Sequence, residues 1–301
     1  MEAEQQTWAV DFSSDGSSNW RWIDSSKGPP ARVAHAQAAY DDKIVYVFGG
    51  RAGITMQEKA MNDLWKLDCS GPAGTETWEQ VQGGGTLPEE RSFHKMLCIG
   101  SSLYVFGGCS ANHGRLADIY KFDISTNTWE NLGTSSFLKG RGGANFLPLN
   151  SGSKLGVIAG FCGEESNDGH MLDVASGKWE ETALTPLLQG LRPRSVCVSG
   201  SFPSTGLSVI FGGEVDPSAK GHEGAGGFEN DVTVLDEKSG KYLGTTPSQA
   251  NWPETRGWSD SVSVDGNGVG HFYVFGGLTG DDDAPKRLDD LWRLDVEPAS
   301  A

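Results

Sequence analysis

IVYVFGG occupies residues 44–50, and the same form returns as SLYVFGG at 102–108, LSVIFGG at 207–213 and FYVFGG at 272–277. A degenerate copy, LGVIAGFCG, spans 155–163. The steps from Gly49 to Gly107, Gly212 and Gly276 fit a unit of roughly 50–60 residues, the period of a repeat array. Each copy is a short run rich in Val, Ile, Tyr and Phe that ends on glycine, which reads as a buried strand followed by a turn.

Working outward, other signals keep a fixed order around each copy. An arginine opens the unit, in RVAH (Arg32), RSFH (Arg91), RGGA (Arg141), RSVC (Arg194) and RGWS (Arg256). After the glycines and a polar loop comes a second run: NDLWKLD, ADIYKFD, DGHMLDV, NDVTVLD or DDLWRLD. A turn and an aromatic follow, at Trp78, Trp129, Trp179 and Tyr242. Each unit therefore reads as a four-stranded antiparallel sheet. A sheet with two apolar faces cannot stand alone, so the units must stack, and radial stacking leaves only short edges.

This pattern resembles the kelch-repeat β-propeller. The expectation is an all-β protein of one domain over residues 1–301, a propeller of five four-stranded blades. Its units cover about 32–84, 91–132, 141–182, 194–244 and 256–296. The last unit shows no fourth strand, whereas SNWRWIDSS near Trp20 and Trp22 shows a spare one. Residues 18–24 are therefore expected to close the last blade.

A narrower resemblance comes from RGGANF, RPRSVCVSG, FGGEVDPSAKGHEGAGGFENDVTVLD and RGWSDS, which occur in that order from Arg141 to Ser261. Together they are similar to the plant specifier proteins, the epithiospecifier, nitrile-specifier and thiocyanate-forming group, and to related kelch proteins. The resemblance implies action on an unstable glucosinolate aglucone with ferrous iron. It also implies a metal site of the form E-x-x-x-D-x-x-x-H in the loop after the glycines. Glu214 and His222 fill its ends. Ser218 stands at the position of the family's Asp, with Asp216 or Glu223 as substitutes. The plant proteins look six-bladed, so a five-bladed ring is a departure.

Strand direction alone puts the opening arginines and the loops after the glycines at one end of each blade. Two readings follow for Arg51, Arg91, Arg141, Arg194 and Arg256. Each is either a structural residue paired with a carboxylate or carbonyl of the next blade, or part of a rim that binds an anion through its planar guanidinium fork. Trp258 is either an aromatic wall of that rim or a packing residue.

Composition bounds the partners. A formal charge of -16 repels nucleic acid and anionic membranes. No apolar run reaches the ~20 residues of a membrane span. The N-terminus carries no secretory signal pattern, and five cysteines without a CxxC pair suit reduced thiols in the cytoplasm or nucleus. His35 and His94 are expected to be packed, and Asp281–Asp283 to be a solvated charge run. No nucleophile elbow, phosphate loop or HExxH pair is present. The functional expectation is a small-molecule or anion-binding rim of the specifier type, with Fe(II) as the implied cofactor. The alternative is a propeller that binds a protein partner without chemistry.

Overall fold

The computed structural model describes residues 5–12, 17–55, 57–221 and 224–298. After a hairpin of β1 (Thr7–Phe12) and β2 (Ser18–Ile23), the chain forms successive small sheets. The first runs β3 (Ala36–Tyr40), β4 (Ile44–Arg51), β5 (Ala60–Asp68) and β6 (Thr77–Val81). The second adds β7 (Gly84–Gly85) to β8 (Lys95–Ile99), β9 (Ser102–Ser110), β10 (Gly114–Asp123) and β11 (Thr128–Thr134). The third is β12 (Asn145–Leu149), β13 (Lys154–Phe161), β14 (Glu165–Asp173) and β15 (Lys178–Trp179). The fourth is β16 (Val198–Phe202), β17 (Leu207–Asp216), β18 (Gly227–Asp236) and β19 (Tyr242–Thr246). The fifth has three strands, β20 (Asp260–Gly266), β21 (Val269–Thr279) and β22 (Lys286–Val296). These five meanders are the blades of a β-propeller, and the repeated apolar run is the second strand of each.

The reason for that run is burial. All nine residues of β9 are buried, so both faces of the strand are covered and the polar–apolar alternation of a half-exposed strand disappears. The four aromatics expected at the close of the units do lie in fourth strands.

The chain packs as two compact units. Unit 1 is Met1–Val105 with Cys109–Gly114 and Tyr120–Asn131, and unit 2 is Phe106–Gly108 with Arg115–Ile119 and Leu132–Ala301. The division runs through the second sheet. Unit 1 has a core of Phe48, Leu64, Leu103, Val105, Phe122 and Trp129, with the Trp129 ring 5.2 Å from Phe48 and 4.9 Å from Phe122. Unit 2 has one cluster around Leu147, Ile158, Ile210 and Leu235 and another around Phe202, Phe211, Phe272 and Val274.

The glycine pair marks the place where successive blades meet. Gly50 donates its N–H to the Arg91 carbonyl, Gly108 to Arg141, Gly160 to Arg194 and Gly213 to Arg256. The first glycine of each pair takes a left-handed conformation, φ +63° at Gly49, +62° at Gly107 and +65° at Gly212. A Cβ there would lie 2.6–2.9 Å from the same arginine carbonyl. In the degenerate copy Ala159 adopts the same conformation, φ 59°.

One expectation is corrected. Ser18–Ile23 does not form the fourth strand of the fifth sheet; it pairs antiparallel with Thr7–Phe12, Trp22 opposite Trp8 and Trp20 opposite Val10. The reason is local. TWAVDF followed by an Asp15-Gly16 dipeptide supplies a partner strand and a hairpin signal next door, and closing so short a loop costs little entropy. Arg21 ties the hairpin to Asp11 and, outside it, to Glu76, both at hydrogen-bonding distance.

Candidate functional site

In four of the five blades the opening arginine is held by an aspartate of the same blade. Arg141 reaches Asp168 at 2.5 and 3.0 Å, Arg194 reaches Asp231 at 2.5 and 3.1 Å, and Arg256 reaches Asp290 at 2.6 and 2.9 Å. Arg32 holds Asp63 in the same two-pronged way, at 2.8 and 2.8 Å. The same guanidinium groups donate to the first carbonyl of their own glycine pair, or to Ala159 in the degenerate copy. The main chain links blades as well: Arg194 donates its N–H to Ser166 and Arg256 to Glu229 in the preceding sheet. Arg141, Arg194 and Arg256 thus fix the geometry inside their own blades with their side chains and join blades with their backbones.

Charge follows geometry. Burial opposes charge on Asp63 and Asp168, but their arginines win and hold both below the ordinary carboxylate range. The Arg256 guanidinium brings Asp290 down to about 2. Burial disfavours the Arg194 cation, and its bond to Asp231 reverses the balance and raises it.

These contacts answer the first question posed by the sequence. The forks of Arg141, Arg194 and Arg256 are closed by aspartates of their own blades, not of the next one, and are not presented to an anion. Arg91 is buried, its guanidinium 5.2 Å from the Tyr120 ring centre and its Nε bonded to the Glu89 carbonyl. Arg51 is also buried and lies 4.4 Å over the Phe93 ring; burial lowers its pKa despite Cys109 and Glu58. Trp258 is half-buried, left-handed at φ 61°, and bonded through its N–H to the Val196 carbonyl. The residues in the same register position, Ala34, Phe93, Gly143 and Val196, are left-handed as well.

In unit 2 the predicted coincidence of arginine and loop is observed. Ser195, next to Arg194, forms a two-bond bridge to Glu214, the first residue after the glycine pair. Gly142 and Phe161 make the corresponding bridge one blade earlier, and Gly257 and Leu278 one blade later. The Glu214 side chain is 7% exposed. Its carboxylate accepts N–H bonds from Ser218, at 3.3 Å, and from Gly226, so the loop is wound around it. Burial nevertheless pushes Glu214 upward, and Asp282 adds to the push.

Ser218 donates its hydroxyl to Asp282, and the Ala219 N–H reaches the other oxygen of Asp282 at 3.0 Å. Lys220 bonds to the Asp282 carbonyl. Asp282 is therefore the organiser of this loop and not a member of a merely solvated run. It lies more than sixty residues away in sequence, and no local signal pointed to it. Asp216 is exposed at the end of β17. His222 and Glu223 lie outside the described residues.

The implied ferrous ion can be tested against these donors. Glu214 already accepts two backbone bonds, the Ser218 hydroxyl is given to Asp282, and no cluster of three metal-ligating side chains exists among the described residues. By themselves the described residues do not fit a ferrous ion, which favours several carboxylate and imidazole donors. His94 is packed as expected: burial brings it down to about 3, and its Nε2 lies 3.1 Å from the Phe48 carbonyl.

Two residues at this end of unit 2 carry no signal in the sequence. Glu165, paired in register with Phe161, accepts the Ser195 hydroxyl at 3.1 Å. Arg115 is exposed and lies 4.6 Å over the Phe161 ring. Neither sits in a repeated motif position that would single it out.

Comparison with known proteins gives three kinds of likeness. Residues 3–213 match the KLHDC2/KLHL20/DRC7 Kelch-repeats domain. An N-(sulfonatooxy)prop-2-enimidothioate sulfolyase of Thlaspi arvense is 29% identical over 83% of this chain and 74% of its own length. Adagio protein 3 of Arabidopsis thaliana is 30% identical over 65% of this chain, and the flagellar outer-arm dynein alpha chain of Chlamydomonas reinhardtii is 26% identical over 96%. The chain spans only 32% of the first of these and 6% of the second. The solved structure titled "Structure of YjhT" shares the fold, with a TM-score of 0.68 at 17% identity, covering 96% of this chain and 88% of that one. With its repeated glycine pairs, paired arginines and stacked meanders, the chain belongs to the Kelch-repeat family.

Proposed function

We propose that the end of unit 2 bearing Phe161, Glu165, Ser195, Glu214 and Trp258 takes up a small anionic molecule, in the manner of a specifier-type protein. The observation that carries this reading is the likeness to the Thlaspi arvense sulfolyase, which extends over most of both chains. That protein's name gives a sulfonatooxy compound as its substrate. Here the anion meets Arg115, the exposed cation over Phe161, in place of the opening arginines that their aspartates occupy. A guanidinium on an aromatic face keeps its outer N–H groups directed at an oxyanion.

Calorimetric titration with inorganic sulfate and with an O-sulfonated oxime tests it. Arg115→Ala is expected to weaken binding of the sulfonated ligand about tenfold, the loss of one charge-assisted contact. Absence of binding by the parent at millimolar ligand overturns the proposal.

Iron dependence stands on Glu214 and His222 within the same reading. Ser218→Asp would set a third carboxylate beside Glu214 and Asp282, and three such donors are what a divalent ion favours. Anaerobic titration should show weak ferrous binding by the parent and at least about tenfold tighter binding by the variant. Equal affinities would remove position 218 from the site.

A further inference from the structure

The fifth sheet ends on β22, an 11-residue strand, and among the described residues no strand pairs with its outer side. The other four sheets continue past their third strand, and their registers show what the next strand supplies. Trp78 stands opposite Leu67, Trp179 opposite Leu172 and Tyr242 opposite Leu235. In the second sheet the Trp129 ring lies 4.9 Å from Phe122. Under these aromatics Leu67, Phe122, Leu172 and Leu235 are at most 5% exposed. Leu294 holds the same place in the DDLWRLD run, yet it is only half-buried. An apolar side chain that four blades cover is left open in the fifth.

Charge narrows what fits there. In the first sheet Glu79, the residue after the aromatic, stands opposite Lys66 and bonds it at 3.2 Å. In the third sheet Lys178, the residue before the aromatic, stands opposite Asp173. The matching residues of β22 are Arg293 and Asp295, both exposed. They bond each other at 3.0 Å, and His271 shares Asp295. A strand laid antiparallel along β22 in the same register would therefore set an acidic residue against Arg293 and a basic one against Asp295. Opposite charges facing each other across a sheet stabilise it, and like charges do the reverse. The segment Asn19-Trp20-Arg21 fails this condition, because Arg21 would face Arg293; its guanidinium is held by Asp11 and Glu76 instead.

We propose that the outer edge of β22 docks an extended peptide of a partner protein, which completes the fifth blade as its fourth strand. The peptide carries a basic–aromatic–acidic triplet. Main-chain bonds along the open edge supply affinity, and the aromatic over Leu294 fixes the register. The exposed charges of β22 blunt indiscriminate pairing, as charges on edge strands do, and select a partner whose charges are placed to match. The inference does not depend on the ligand reading above, since it uses none of the same residues.

Fluorescence polarisation of a labelled synthetic peptide tests this on the full chain without any protein variant. SGKWEET, the sequence at 176–182, offers lysine, tryptophan and glutamate in the required order. Saturable binding is expected. The charge-reversed peptide SGEWKET and the truncated SGKAEET should each bind about tenfold more weakly, the former through two mismatched pairs and the latter through an uncovered Leu294. Hydrogen exchange reads the place: the outward-facing amides between Leu291 and Asp295 should exchange freely in the free protein and slow when the peptide saturates. No saturable binding at millimolar peptide, equal binding of SGEWKET, or exchange at β22 that the peptide leaves unchanged overturns the proposal. Light scattering on the free protein should give a monomer. Protection of those amides without peptide, in a monomer or in a dimer, would mean that this chain or a second copy already takes the edge, and overturns it too.

Discussion

Arg194→Ala should destabilise the protein by about 3–5 kcal/mol, the cost of breaking one partner out of a buried ion pair. Arg194 is 1% exposed, and its guanidinium makes four contacts: two to Asp231, one to the Gly212 carbonyl and one to the Arg192 carbonyl. Truncation leaves Asp231 with its charge and without its counter-ion, and leaves the Gly212 carbonyl without this donor. Lysine should restore less than about half of the loss, since an ammonium cannot reproduce a two-pronged fork. Equilibrium urea unfolding at pH 7 reads the difference. Arg256→Ala should also shift the acid limb: Asp290, brought to about 2 by Arg256, contributes stability at neutral pH that is lost as pH falls through that value.

Gly212→Val is the second large effect. The residue is left-handed at φ +65°, and a Cβ would lie 2.6 Å from the Arg256 carbonyl and 3.2 Å from that of Glu229. The left-handed conformation alone costs an L-residue about 1–2 kcal/mol. Overpacking adds about 1–3 kcal/mol, because both obstacles are backbone atoms that cannot turn aside. The sum, about 2–5 kcal/mol, approaches the whole stability of many domains. Gly206→Val gives the control. Its φ is +73°, but no atom lies within 4 Å of the added Cβ, so only the conformational part is expected. Similar losses at the two positions would show that the glycine pair has no role in bringing blades together.

Both effects could be located in the sequence, though not fully explained there. The glycine pair and the opening arginine are periodic, and periodicity is what a sequence shows best. The aspartates that hold the arginines were equally visible, at Asp63, Asp168, Asp231 and Asp290, inside runs that announce themselves as strands. What the letters do not contain is which blade supplies the partner. The arginine lies just before the first strand of a meander and the aspartate on its third strand, and they meet at the end of the second strand, where the arginine also bonds a carbonyl of the glycine pair or, in the degenerate copy, of Ala159.

The 214–229 loop shows the opposite limit. Its composition singled it out, and Glu214 is bridged to Ser195 beside an opening arginine. Its organiser, Asp282, comes from a turn of the next blade, as Glu165 comes from the blade before. Contacts across blades carry no spacing, so neither partner could be read from the loop itself. The N-terminal hairpin differs again. Its Asp-Gly signal is local and legible, but the missing fourth strand of the last blade competes with it for Ser18–Ile23, and the letters alone do not rank the two partners.

A double-mutant cycle on Arg194 and Asp231 tests most directly whether the opening arginines are structural or anion-binding. Each single alanine variant and the double variant are unfolded in urea, and the coupling energy is taken from the three differences. Arg194→Ala should be costly alone, Asp231→Ala should be costly alone, and the pair should couple by about 2 kcal/mol or more, well beyond the ~0.5 kcal/mol of independent sites. Near-additive losses, with Arg194→Ala leaving stability intact and abolishing anion binding, would contradict it.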